Sequence, residues 1–476
     1  MPDKPHVLLL IDDEHRPNVL GIEGDPHVRT PTLDQCMAQG SYFRSAYTPA
    51  PVCVPARQSF LTGLYPRHNG CIDFDTPLGS DVLTIPGHLA NYGYYAACAG
   101  KMHFLGTDQM HGWHERIGRD IAPRIDNSPL QHLIDEVDQE RRFKRKIEPG
   151  TGLWTTKKEV TNARVGKGLH LAQDYYSTDG ALLFLDEYFV DKEYDRPGND
   201  PLLMAVSLNS PHYPYQCSDE LFSYYLRRVE PYMEELQDNF DCHEFFKVRV
   251  GEDVTPRDVR RATAAYYGMV ETVDQQYARV INRLEEIGVL DDFIIIFLSD
   301  HGEMLGQKGI WHKLQFFDGA ARVPFSITAP NILTHAKNSI TENVSLVDLF
   351  PTLCELVDIP VPEGLDGRSL VPLIQGKADN WVNEVYSEMY HSLNGPGEMV
   401  KVDNLKYFRC LERDWPEQLF DLGKDPQECT NLINDPAYAA DLSRLRKKLD
   451  SFQPTRKPES FVSRETRRNQ FADSNK

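Results

Sequence analysis

Two strands that end in acid are the first chemistry visible in this sequence. The apolar run VLLLI (7–11) is followed by Asp12, Asp13 and Glu14, and FIIIFLS (293–299) by Asp300 and His301. Carboxylates gathered in one place repel, and a bound divalent cation relieves the repulsion. Either cluster alone reads equally well as a helix cap or a solvated turn; two clusters at the ends of buried strands favour the metal. The segment Cys53-Val54-Pro55-Ala56-Arg57 is the other candidate. A lone cysteine is ordinarily a small buried hydrophobe. Here Pro55 suits the first turn of a helix, which puts Cys53 at a positive N-terminus beside Arg57. That environment favours an anionic nucleophile or a bound oxyanion.

The elements that must position these residues follow from the apolar patterning. Runs at 7–11, 94–99, 203–208 and 293–298 read as buried strands. Helical stretches lie between them, one from Pro31 to Gly40 with Thr30 as its cap, others over about 170–190, 257–287 and 346–357. In the longest, Ala265, Met269, Val273, Tyr277, Val280 and Ile281 form the apolar stripe. Alternation of strand and helix predicts an α/β fold: a large, mostly parallel mixed sheet sandwiched by helices. In such a sheet ligands bind at the carboxyl ends of the strands, where both acidic clusters fall.

After Gly376 the character changes. Segments 383–390, 398–410 and 417–421 read as short antiparallel strands, and about 436–451 as a helix. We therefore divide the chain into a catalytic α/β domain (1–376) and a smaller C-terminal α+β domain (377–476). The last 25 residues are polar and rich in breakers, so they are expected either to be flexible or to be pinned by a neighbouring subunit of a homo-oligomer. The irregular stretches 104–168 and 213–256 are expected to wall a pocket.

With 476 residues, 41% of them hydrophobic, the chain has ample material for a core, which excludes disorder and fibrous repeats. A net charge of −20 argues against nucleic acid and anionic membranes as partners, so any anionic substrate needs a local cationic pocket. No apolar run is long enough to span a membrane. The leading MPDKPH is too short for a secretory signal, which predicts a cytoplasmic protein. Nine scattered cysteines, never spaced CxxC, speak against a zinc site or a disulfide framework.

The motif C-x-P-x-R at Cys53–Arg57, followed by Thr62-Gly63, resembles the maturation motif of the sulfatase family. Further segments agree in order: Gly93-Tyr94 leading to Gly100-Lys101-Met102-His103, then Ser210-Pro211-His212-Tyr213-Pro214. Ser299-Asp300-His301-Gly302-Glu303 follows, with Lys313 thirteen residues after Asp300. LDGRSLVPLI (365–374) and LFDLGKDPQECTNL (419–432) extend the likeness, which spans about residues 7–432 of this alkaline-phosphatase-like superfamily pattern. GKMHFLGTDQMHGWHERIGRDIAP (100–123) and EMLGQKGIWHKLQFFDGAARVPF (303–325) look most like the choline-sulfatase branch, with phosphonate-monoester and phosphodiester hydrolases close behind.

The resemblance implies that Cys53 is oxidised to formylglycine by a maturation enzyme and that one divalent metal, calcium or manganese, sits beside it. Aligning on His15-Arg16-Pro17 places the metal pair at Asp13 and Glu14; strand length alone also allows Asp12 and Asp13. Asp300, His301 and the modified Cys53 complete the set. Glu14 departs from the family's usual Asp, Asn or Gln, and the imidazole of His301 moves the expectation toward manganese. By the same likeness Arg57 holds the modified side chain, and Lys101, Lys313 and His212 neutralise the sulfuryl oxygens. His212 or Lys313 protonates the leaving alkoxide, and His103 assists at residue 53. His312 either contacts substrate or packs. The branch often places Asn where this chain has Phe74, between Asp73 and Asp75, so its substrate does not carry over directly. Ile72-Asp73-Phe74-Asp75 suits an ammonium group or is a plain turn.

Three functions are compatible with these residues. The first is a formylglycine-dependent sulfatase acting on a small sulfate monoester. The second is a phosphonate-monoester or phosphodiester hydrolase using the same centre. The third is a non-catalytic binding protein in which Cys53 is never matured.

Overall fold

Every residue of the strand His6–Asp13 is buried, and its side chains feed two layers alternately. Val7, Leu9 and Ile11 enter one apolar cluster, Leu8 and Leu10 another. A strand apolar on both faces belongs in the middle of a parallel sheet covered by helices, and each buried Leu or Ile contributes roughly 1.5–3 kcal/mol. The computed structural model describes residues 4–118, 156–166, 168–191, 200–234, 242, 244–329, 333, 338–391, 395–411 and 414–452. Much of the expected pocket wall over 104–168, and the polar tail beyond Phe452, lie outside the described residues.

His6–Asp13 occupies the centre of an eight-stranded sheet. In order, the strands are Ser339–Ile340, Ser41–Phe43, Phe325–Thr328, Phe293–Ser299, His6–Asp13, Leu202–Pro211, Tyr95–Gly100 and Glu115–Ile117. Only Phe325–Thr328 runs against the rest. The expected mostly parallel mixed sheet is therefore present, and the four strands read from the sequence are four adjacent parallel strands within it, Phe293–Ser299, His6–Asp13, Leu202–Pro211 and Tyr95–Gly100. One face is covered by the helices Cys53–Thr62, Ile85–Ala90 and Leu349–Leu356, the other by Pro31–Gln39, Leu169–Phe189 and the second half of Pro256–Ile287.

The 32-residue helix Pro256–Ile287 starts at a capping box: Thr255 Oγ1 accepts the Asp258 N–H, and the Asp258 carboxylate accepts the Thr255 N–H. It stops at Gly288, whose left-handed φ of 83° releases the chain. Its stripe is buried as expected except Ile281, which is half-buried. The expected cap at Thr30 is not made. Its hydroxyl instead donates to Asp34 Oδ1 and accepts the Gly21 N–H, tying the preceding loop to the helix.

The C-terminal strands Glu384–Met389, Gly397–Val402, Leu405–Cys410 and Gln418–Asp421 pair consecutively and antiparallel. The segment 398–410 is two strands, not one, because Asp403 turns the chain at φ 52°. One face of this sheet receives Leu442, Leu445 and Leu449 of the helix Ala439–Phe452. Met399, Phe408 and Phe420 on the other face pack with Tyr47, Val52, Phe316 and Phe317, joining the small sheet to the loops around Cys53 and Lys313. No described helix is long and apolar enough to cross a membrane, and none of the nine cysteines is joined in a disulfide.

Candidate active site

Register decides what meets at the sheet's carboxyl edge. Asp12 is opposite Ser299, so Asp13 and Asp300 emerge side by side. Asp13 also faces Pro211, next to His212, while Gly100 faces Ser207 one strand further on and delivers Lys101. The approach at Gly100 is close: a Cβ there would meet the Ser207 carbonyl oxygen at 2.0 Å, and its φ is 94°. Lys101 N–H donates to that same carbonyl at 2.9 Å. Four adjacent strand ends thus carry five of the residues singled out in the sequence, together with Glu14 and His103 in the turns that follow.

Cys53 is the first residue of the helix Cys53–Thr62 and is 1% exposed. Its Sγ lies 3.1 Å from His301 Nε2 and 3.9 Å from Asp13 Oδ1. One ligand atom each from Asp13, Cys53, Asp300 and His301 fall within 4.8 Å of one another, all of them buried. Glu14 forms a further group with Asp13 and His212, and another with Glu303 and His312. Asp12 joins none of these; its Oδ2 is 2.6 Å from His15 Nδ1. Of the two registers, the structure presents Asp13 and Glu14 to the centre.

Arg57 organises the acids. Its Nε donates to Asp300 Oδ2 at 2.7 Å and Nη2 to Asp13 Oδ2 at 3.2 Å. Nη1 donates to the Lys101 carbonyl at 2.6 Å and to Ser207 Oγ at 2.9 Å. A buried, forked guanidinium can hold two carboxylates parallel where a lysine could not. Lys101 Nζ pairs with Asp13, and Lys313 Nζ donates to Glu14 Oε2 at 2.8 Å. His212 Nε2 is 3.2 Å from the same Glu14 oxygen, while its Nδ1 donates to the Tyr213 carbonyl at 2.6 Å.

The charges shift one another strongly. Burial raises the Asp13 carboxyl, but Lys101, His212, Lys313 and Arg57 outweigh it and hold Asp13 well below the usual range. Glu14 goes the other way, lifted by burial despite Lys313. Burial and then neighbouring lysines hold His103 and His212 well below the ordinary imidazole value. Burial, followed by the Asp13 charge, pushes the Cys53 thiol up.

His312 is 2% exposed, with its ring 4.1 Å from Tyr213 and its Nδ1 3.7 Å from Glu303 Oε2. Phe74 is half-buried and edge-on to His103 at 5.1 Å, so the unusual Asp73–Asp75 turn borders the site. Two supports were not singled out from sequence. Glu303 accepts N–H bonds from Leu305 (2.7 Å) and His312 (2.6 Å), and the Tyr215 hydroxyl at 3.1 Å. Ser207 anchors Arg57. Glu303 ends the Ser299–Glu303 motif and could have been suspected; Ser207 sits in a uniform apolar strand and carries no local signal.

The donor set fits a divalent cation. Two adjacent carboxylates suit a hard ion, the imidazole admits manganese, and the buried Glu14 Oε1 accepts no hydrogen bond from a described donor. A doubly wound sheet that gathers acids, an imidazole, lysines and a helix-terminal cysteine at its carboxyl edge is the architecture of a metal-assisted ester hydrolase. The sulfatase family model matches residues 5–359, and a model for the C-terminal region of N-sulphoglucosamine sulphohydrolase matches 306–455. The chain belongs to the sulfatase family, whose members are sulfuric ester hydrolases. It is 30% identical over 462 residues to a choline-sulfatase of Rhizobium meliloti, covering 93% of this chain and 85% of that one. It is 29% identical to an arylsulfatase of Clostridium perfringens, covering 93% of each. Its fold is shared with the phosphonate monoester hydrolase of Agrobacterium radiobacter, at TM-score 0.73 and 22% identity over 94% of this chain and 95% of the other.

Proposed function

We propose that this protein is a formylglycine-dependent sulfatase that hydrolyses a small sulfate monoester to an alcohol and inorganic sulfate. The observation that carries the reading is the meeting of Cys53, at a helix N-terminus, with Asp13, Asp300 and His301 between two lysines. Asp13, Asp300, His301 and residue 53 would hold one calcium or manganese ion, with Glu14 completing the set from the side of Asp13. A divalent ion bound there, together with an oxidised residue 53, would supply an activated oxygen nucleophile and a route to release sulfate without a second attack at sulfur.

The chain's own residues do the rest. Arg57 fixes both ligand carboxylates. Lys101 and Lys313 neutralise the sulfuryl oxygens as charge builds. Lys313, kept protonated by the anions around it, delivers the proton to the leaving alkoxide. His212, whose Nδ1–H is committed to the Tyr213 carbonyl, turns a basic Nε2 to the centre and serves as the acid only after taking up a proton there. His103, half-buried over Lys101's turn, assists at residue 53. We read residues 1–376 as the catalytic unit, with residues 377–476 bracing the loop of Lys313. Nine cysteines with no disulfide among them suit a reducing cytoplasm. The polar tail is assigned to subunit contacts, and truncation after Ser451 should then weaken assembly.

Co-expression with a formylglycine-generating enzyme should shift the mass of the peptide containing Cys53 and yield sulfate release from an aryl sulfate. Cys53→Ala should abolish turnover; full activity in that variant ends the reading. An unmodified thiol with intact metal binding would instead favour a binding protein. The fold shared with a phosphonate monoester hydrolase, together with His301, supports a second reading in which phosphorus is the reacting centre. Relative kcat/KM on aryl sulfate and aryl phosphonate esters separates the two.

A further inference from the structure

A cavity of about 270 Å³ lies apart from the centre just described, between loops of the large sheet and the C-terminal sheet. None of the residues proposed for catalysis or metal binding lines it. Four cationic side chains do: Arg16, Arg44, Arg322 and Lys401, against only two carboxylates, Asp318 and Glu428. That is a surplus of two positive charges in a chain whose net charge is −20.

The surplus is not cancelled by the neighbours. Asp318 and Glu428 both pair with Lys406, the first at 2.6 Å; Asp318 is also 3.7 Å from Arg322 Nε, and Glu428 accepts the Asp318 N–H at 2.8 Å. Glu23, beside the cavity, is shared by Arg44 at 2.7 Å and Arg322 at 3.2 Å. One carboxylate more and one lysine more leave the balance where it was. Lys401 is the least compensated. It is 5% exposed, yet its Nζ donates only to neutral acceptors, Ser45 Oγ at 2.8 Å and Asn343 Oδ1. Burial brings its ammonium down to about 8, with Asp318 and Asp403 opposing only through their field. The Nε of Arg16, 3% exposed, donates to no described acceptor. A buried cation without a counter-charge costs several kcal/mol, so a cavity faced by such groups is most stable when an anion fills it.

We infer that this cavity is a second binding site, for a tetrahedral dianionic oxyanion held by Lys401, Arg322 and Arg44. Two negative charges restore neutrality, and forked guanidiniums match the oxygens of sulfate or phosphate. The site also adjoins the working loop. Arg16 Nη1 donates to the carbonyls of Glu303 and Met304 at 2.8 Å each, and Gln307 Oε1 accepts from Nη2 at 2.8 Å.

The full-length protein bearing Lys313→Ala, which weakens anion binding at the catalytic centre, should be titrated calorimetrically with sulfate and, separately, with phosphate. Saturable binding is expected, weakened about tenfold or more when Arg44→Gln is added, since one charge-assisted contact is worth roughly 1.5–3 kcal/mol. Arg44 is half-exposed, and an unchanged urea unfolding midpoint of Arg44→Gln checks that the fold is kept. Lys401→Met, an apolar side chain of similar length, should have the same effect. Tighter sulfate binding would assign the ligand to the reaction product, tighter phosphate binding to a separate anion pool. Crystals soaked in selenate should show anomalous density between Lys401 and Arg322. Density at the catalytic centre alone, or unchanged affinity in Arg44→Gln, overturns the site.

Discussion

Glu303 shows how one buried carboxylate can shape the loop that carries Lys313 through hydrogen bonds to its backbone. Four non-glycine residues between Glu303 and Phe316 adopt left-handed backbone: Leu305, Lys308, His312 and Leu314, with φ from 51° to 66°. Each such residue costs on the order of 1 kcal/mol and persists only where its surroundings hold it. Glu303 accepts the N–H of two of them, Leu305 and His312, and the second directly precedes Lys313. Burial would raise the Glu303 carboxyl, but the hydrogen bond and charge of His312 bring it down to about 2, so it acts as an ionised acceptor. Glu303→Gln keeps the shape and loses the charge. We expect kcat/KM to fall about tenfold or more, with about 1–2 kcal/mol lost from stability, measured by sulfate release and urea unfolding. A variant with wild-type turnover would show that Lys313 needs no such bracing.

At the scale of elements, the site depends on strands that approach more closely than most side chains allow. Gly100→Ala places a Cβ 2.0 Å from the Ser207 carbonyl at a backbone φ of 94°. The strands must separate there. A stability loss of about 2–4 kcal/mol is expected, together with a raised KM, because Lys101 follows directly. Wild-type urea midpoint and KM would refute this. The long helix Pro256–Ile287 provides a contrast. Thr255→Ala removes a capping box far from the centre and should cost about 1 kcal/mol while kcat stays unchanged. A fall in kcat without a fall in stability would mean that the helix start is coupled to the site.

Over the whole molecule, stability carries a pH dependence that the active site does not set. His6, 4% exposed, accepts the Leu202 N–H on Nδ1 at 2.8 Å and packs between Phe189 and Phe293. Burial lowers its pKa to about 4, with Asp292 opposing and the N-terminus assisting. A base held below its unfolded value of 6.5 binds fewer protons when folded. The stability is therefore fully present above pH 6.5 and is lost as the pH falls toward 4, by up to about 3 kcal/mol. His6→Asn lacks this dependence. The difference in unfolding free energy between wild type and His6→Asn should shrink by about 2–3 kcal/mol from pH 7.5 to pH 4.5, and a constant difference would contradict the assignment.

Local signals in the sequence determined four adjacent strands of the large sheet, the long helices and the acids that end Val7–Ile11 and Phe293–Ser299, because burial on both faces and strand termination leave their marks in consecutive residues. Motif order marked Cys53, Arg57, Lys101, His212 and Lys313 as candidates in the same way. Only the tertiary structure decided that Asp12 turns to His15 while Asp13 faces Asp300, since neighbours on a strand point to opposite sides and register with Ser299 chooses between them. It alone placed Ser207 under Arg57, Glu303 beneath His312, and a cationic cavity between two sheets. Those contacts join residues from nine to hundreds of positions apart across turns of the backbone, and the apolar pattern of the chain does not encode a distance of that kind.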